Sequence, residues 1–215
     1  MATLEAVRDE LESALYDSSN ETWSTTELDY FLQRAVTRLA LRAPKPVATD
    51  AAAATITLVS GTYYYSIDSS IIQVDAVMYE NSDEDLIGYM QSGWEISGDL
   101  WAGTAKLHVS PTTVEQGGKL YLRGWQKYNL VAAASDQTNA ITVELVPYVI
   151  ASARVDAWDQ LLSDRARFYQ WQNQNQVQNV SINELIQMRN EAQDQRDYEW
   201  SIIKRWQRPT IGRTG

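Results

Sequence analysis

Residues 23–46 read WSTTELDYFLQRAVTRLALRAPKP, a stretch that holds a helix together with both of its boundaries. Ser24 is a capping residue, and Glu27 stands three positions on, where its carboxylate can reach back to close a capping box. Trp23, just outside, can pack on Leu28 as a hydrophobic staple. Leu28, Phe31, Leu32, Ala35, Val36 and Leu39 then recur at the helical period as one apolar stripe. Arg42 and Pro44 end it, so the spacing predicts a helix over about 25–42.

Upstream, Leu4, Val7, Leu11, Ala14 and Leu15 form a second stripe with Glu5, Asp9, Glu10 and Glu12 on the other face, and polar Asp17–Asn20 make the loop between the two helices. Downstream the texture changes. Of ten glycines, eight lie between Gly61 and Gly124, none precedes Gly61, and none falls between Gly124 and Gly212. Glycine is costly inside helices and useful in turns, so the chain reads helix, then strands with many turns, then helix. Strands are expected at Thr55–Val59 and Thr62–Ile67, joined as a tight hairpin by Ser60-Gly61, and at Ile71–Tyr79. Shorter ones follow at Ile87–Met90, Trp94–Ile96, Lys106–Val109 and Lys119–Tyr128. They suggest a small antiparallel sandwich or barrel, preceded at Ala48–Ala54 by an extended arm.

Pro147 is well placed for a first helical turn, and Val146, Ile150, Ala153, Ala157 and Leu161, widened by Val149, Trp158 and Leu162, form the next stripe. QWQNQNQVQN at 170–179 reads as a polar helix end and loop, with a partner-facing tip as the other reading. Ser181 and Glu184 make a second capping box, opening a helix over about 182–205. Its apolar face (Leu185, Met188, Ala192, Ile202, Ile203) is weak where Gln195 and Glu199 stand, the pattern of a helix that bridges to another subunit. The expected class is α+β: about four helices in ends that pack together, with a mainly antiparallel β insertion. The divisions are a helical pair at 1–46, the insertion at 47–140, a closing helical pair at 141–206 and a basic tail at 207–215.

The 215 residues contain no cysteine, one histidine and a formal net charge of −10. Thiolate metal sites, disulfides and histidine clusters are thereby excluded, and the acidic body should repel nucleic acid and anionic membranes. No secretory signal and no membrane-spanning run is found, which predicts a soluble protein made in a cytoplasm. Sequons at Asn20 and Asn179 carry no weight without export. G-x-G-x-x-G, G-x-x-x-x-G-K-[ST] and G-x-S-x-G are missing, so no catalytic residue and no cofactor is assigned and the protein is not expected to be an enzyme. His108 lies in the strand-like KLHVS. Asp83, Glu84 and Asp85 read as a solvated turn, and Asp68 and Asp75 lack the pattern of an EF-hand loop. Trp94, Trp101 and Trp125 are candidates for a sugar-stacking platform, though packing is the commoner use of such aromatics.

Charge is unevenly spread. Residues 1–199 hold all 28 acids and 14 of the 18 basic residues, a net of −14, whereas 200–215, WSIIKRWQRPTIGRTG, hold four basic residues and no acid. Trp200, Ile203 and Trp206 recur at three-residue intervals on one side of a continuing helix, and Pro209 and Gly212 then stop it. Two tryptophans and three isoleucines are too apolar for a solvating tail. Trp200, Ile202, Ile203, Lys204, Arg205, Trp206, Arg208 and Arg213 are therefore the candidate docking residues for an acidic or apolar groove on another protein. Nothing upstream is expected to depend on them for stability.

Trp23–Ala35 (WSTTELDYFLQRA), following an acidic helix, and IIQVDAVMY at Ile71–Tyr79 within a β-rich insertion, resemble the head–tail adaptor, or connector, proteins of tailed bacteriophages. The order of elements matches along nearly the whole chain. The large middle segment and the Trp-rich tail depart from plainer members. The resemblance implies a structural virion protein at the head–tail junction, assembled in the host cytoplasm. Such a protein forms a ring, a dodecamer matching the portal, that meets the portal protein on one side and tail or nozzle proteins on the other. Double-stranded DNA passes through its lumen without sequence-specific binding, and no membrane is involved. The competing readings are a carbohydrate-binding or adhesin-like accessory module and another tail or baseplate component.

Overall fold

The structure, a computed structural model, describes residues 3–17, 21–48, 52–83, 86–110, 117–130, 141–174 and 180–206. The chain divides into two compact units, Met1–Ala43 with Asn129–Gly215, and Pro44–Tyr128.

In the first unit local capping sets the helix boundaries. α1 (Leu4–Ala14) starts at Thr3, whose hydroxyl accepts from the Ala6 amide at 3.3 Å. α2 (Thr25–Arg42) starts at Ser24 with the capping box complete. The Glu27 amide donates to Ser24 Oγ at 3.3 Å, and the Ser24 amide donates to Glu27 Oε2 at 3.0 Å. Between them the buried Asp17 carboxylate accepts from the amides of Thr22 and Trp23, offsetting the cost of burying its charge. α3 (Val146–Ser163), with Pro147 in its first turn, is buried nearly all round, and α1 and α2 pack against it.

Where a closing helical pair is expected, the described residues hold three helices. Asp164 is extended (φ −119°, ψ 97°), which ends α3, and its carboxylate accepts from the amides of Ala166 and Arg167, which starts α4 (Arg165–Gln174). α5 (Ile182–Trp206) begins at the Ser181–Glu184 capping box. Residues 170–174 of the glutamine-rich stretch end α4, and 175–179 lie outside the described residues. The core is aromatic: Trp23, Trp158 and Trp171 are wholly buried and meet edge to face at 5.9 and 5.6 Å. Trp23 Nε1 donates to Gln160 at 2.9 Å, and Trp171 Nε1 to the Leu15 carbonyl at 3.1 Å.

The described residues of the second unit form two antiparallel sheets. One runs β1 (Lys45–Pro46), β8 (Lys119–Gln126), β4 (Ile71–Glu80), β5 (Leu86–Tyr89), with β2 (Thr55–Thr57) also on β8; the other runs β3 (Tyr64–Ser66), β7 (Lys106–Val109), β6 (Trp94–Ser97). Ile56, Val77, Leu120 and Leu122 from the first sheet share a core with Leu107 and Val109 from the second. Two expectations need correction. Ser60-Gly61 is a turn but not a hairpin, because β2 pairs with β8 and β3 with β7, so the chain changes sheets there. Ala52–Ala54 is a 3-10 turn rather than part of an extended arm, while 49–51 lie outside the described residues. Gly124 is needed for close approach: a Cβ there would stand 2.0 Å from the Gln73 carbonyl oxygen, where β4 is irregular.

Candidate functional site

α5 ends among the residues predicted to dock a partner. Ile203 is 2% exposed, on the face that also buries Leu185 and Ala192. Trp200 is half-buried, its ring 6.1 Å from Tyr148 and under the Arg42 guanidinium at 5.6 Å. The three-residue spacing that aligns Trp200 with Ile203 therefore turns both toward this unit's own helices. This corrects the expectation that nothing upstream depends on residues 200–203. Ile202 is half-buried and Lys204 exposed. Arg205 and Trp206 close α5, and Pro209, Gly212, Arg208 and Arg213 lie outside the described residues.

Elsewhere on the helical unit several charged side chains pair between helices. Arg8 meets Asp29 at 3.1 Å, and Arg189 meets Asp159 at 3.0 Å. Arg38 meets Asp156 at 2.8 Å, with Arg34 a looser second partner at 3.8 Å. Burial pushes the Glu27 carboxyl up, but Arg167 Nη1 at 2.6 Å and the Ser24 amide and hydroxyl outweigh it and hold the carboxyl at about 2. An open cleft of about 390 Å³ between α2 and α3, lined by Tyr30, Phe31, Arg34, Asp156, Asp159 and others, went unseen in the sequence reading. Its signal was Tyr30 on the polar side of the α2 stripe.

The β unit's candidates are dispersed. Trp94, on β6, packs against the core and donates Nε1 to the Met90 carbonyl at 3.2 Å. Trp101 is 40% exposed in the β6–β7 connection, and Trp125 is half-buried on β8. His108 stacks on Tyr64 at 4.6 Å with Nδ1 3.5 Å from Glu95. Asp68 accepts from the Ser70 amide and Asp75 from the Gln73 side chain; Glu84 and Asp85 lie outside the described residues. Among the described residues, no three His, Asp or Glu side chains gather where they could hold a metal ion, and no helix is long and apolar enough to cross a membrane.

The family model described as SU10 adaptor protein matches residues 2–211. The chain belongs to the SU10 adaptor protein family. Helical ends around a β-rich insertion thus belong to an SU10 adaptor, and the family is that of the tailed-phage head–tail adaptors that Trp23–Ala35 and Ile71–Tyr79 resemble. Its role is structural, that of an adaptor in a phage particle. Among solved structures, a chain from the neck of an empty GTA particle, computed with C6 symmetry, is similar at 15% identity and a TM-score of 0.27. The match covers 75% of this SU10 adaptor and 77% of that chain. No curated protein matches it.

Proposed function

We propose that this protein forms a ring, of twelve copies, between the portal and the tail or nozzle proteins of a virion, and extends the channel through which double-stranded DNA passes. The observation that carries the reading is the reversal of charge at residue 200 in a chain that matches an adaptor family over residues 2–211. An acidic body repels passing DNA, while a cationic, tryptophan-bearing end suits an acidic or apolar groove on the portal. Trp200 and Ile203 anchor the base of this end on the helical unit, which leaves Ile202, Lys204, Arg205, Trp206, Arg208 and Arg213 for the partner. Assembly takes place in the host cytoplasm.

The test is a chain truncated after Lys204, mixed with portal-bearing heads. It should melt with the full-length protein yet fail to copurify with heads, and Trp206→Ala should attach more weakly. Raised salt should slow association of the full chain more than it speeds release. Copurification of the truncated chain at wild-type level would refute docking through the tail.

A further inference from the structure

The helical unit displays two exposed stripes with one spacing and opposite charge. On α2 the stripe is Tyr30, Arg34, Thr37 and Leu41; on α5 it is Gln187, Glu191, Asp194 and Tyr198, each set at positions i, i+4, i+7 and i+11 of its helix. Tyr30, Leu41 and Tyr198 are 59%, 62% and 63% exposed, high values for large side chains. The exposed residues of α2 include Arg34 and Arg42 and no carboxylate. Those of α5 include Glu184, Glu191, Asp194 and Asp197 and, before Lys204, no basic residue.

Among the described residues part of each charge set is engaged, Asp197 by Arg196, Glu184 by its capping box and Arg42 over Trp200, and part is left over. Arg34 lies over the Tyr30 ring at 5.6 Å, and Asp156, its only ion-pair partner among the described residues, is already held more closely by Arg38. Asp194 makes no ion pair among the described residues. Both helices pack on α3, so the two stripes are different patches of one surface. Two different, complementary patches on one chain make a head-to-tail contact, the kind that closes into a ring when the rotation fits.

We infer that in the assembled ring the α2 stripe of one copy packs against the α5 stripe of the next, with Arg34 meeting Glu191 and Asp194 and the tyrosines filling the seam. The inference rests on the ring proposed above and names the surface by which the ring closes. Because the chain has no cysteine, the contact is open to thiol cross-linking. Thr37→Cys and Asn190→Cys, both exposed and both leaving the charges in place, are put into one chain, assembled on portal-bearing heads and treated with a short bis-maleimide. A ladder of cross-linked species is expected, whereas the two single-cysteine chains, mixed, should give dimers only. Arg34→Glu and Asp194→Arg should each reduce the copies per particle roughly tenfold, Asp194→Arg without moving the melting temperature and Arg34→Glu with a small drop from its place beside Asp156, and the double exchange should restore most of the copies.

Many copies per particle with no cross-linked species would overturn the inference and leave the ring standing. Dimers from either single-cysteine chain alone would also overturn it, since the contact would then join like patches. A single copy per particle would remove the ring itself.

Discussion

Glu27 shows how much a single side chain joins: it completes the α2 capping box and receives Arg167 from α4. Its carboxyl sits at about 2 in the fold against an ordinary 4.5. The ionised form therefore stabilises the protein above about pH 4.5, and that contribution drains away as the pH falls toward 2. Glu27→Gln keeps a side chain able to reach Ser24 but loses the ion pair. It should cost about 1 kcal/mol at neutral pH, and urea melts of variant and wild type should converge in acid. Gly124 lies at the other extreme, where no side chain fits. Gly124→Ala must push the Gln73 carbonyl aside, at a cost of about 3 kcal/mol or more. Protease sensitivity should appear in residues 44–128 before the helices melt. The Glu27 box was legible because Ser-x-x-Glu is a local signal; the Gly124 contact was not, since it depends on which strand lies alongside.

At the scale of elements, the C-terminal turns of α5 carry the clearest expectation. Ile203→Ala removes a buried side chain and should cost about 2–4 kcal/mol, read as a lower midpoint in thermal or urea melts. Truncation after Glu199 should likewise lower the melting temperature, in contrast to truncation after Lys204. The apolar stripes of α1, α2 and α3 could be read directly, because a helix advertises its buried face through spacing alone. For Trp200 and Ile203 the same spacing was equally compatible with a core and with a partner's groove, and only the packing of α5 on α3, with Tyr148 beside Trp200, decides between them. The Ser60-Gly61 reading failed for a related reason. Turn chemistry reports that the chain reverses, while the choice of β8 and β7 as partners for β2 and β3 is made by a core assembled from distant residues. Trp158 and Trp171 belong to the same class: Trp158 stood on a legible stripe and Trp171 in a stretch that reads as polar, and neither pattern reveals that Trp158 meets Trp23 on one side and Trp171 on the other.

For the whole molecule, the β unit leaves and rejoins the chain at neighbouring points. β1 and β8 pair Lys45 with Gln126, which sets the two ends of the insertion about one strand spacing, ~5 Å, apart. Joining Ala43 to Asn129 through a short Gly-Ser link should therefore leave a helical unit that folds, with its helical circular dichroism and blue-shifted tryptophan emission intact; loss of both would show that the helices need the insertion. The same arrangement has a consequence in time. Trp23 cannot donate to Gln160 until 137 more residues have been made. At a ribosomal pace of about 5–20 residues per second, that leaves the sticky side of α2 waiting for roughly 7–27 s. During the wait the β unit is translated whole and is free to settle first. A nascent chain of this design spends its most vulnerable moments with half a bundle uncovered, so its yield in a cell should respond to translation speed and to chaperones that shelter emerging helices.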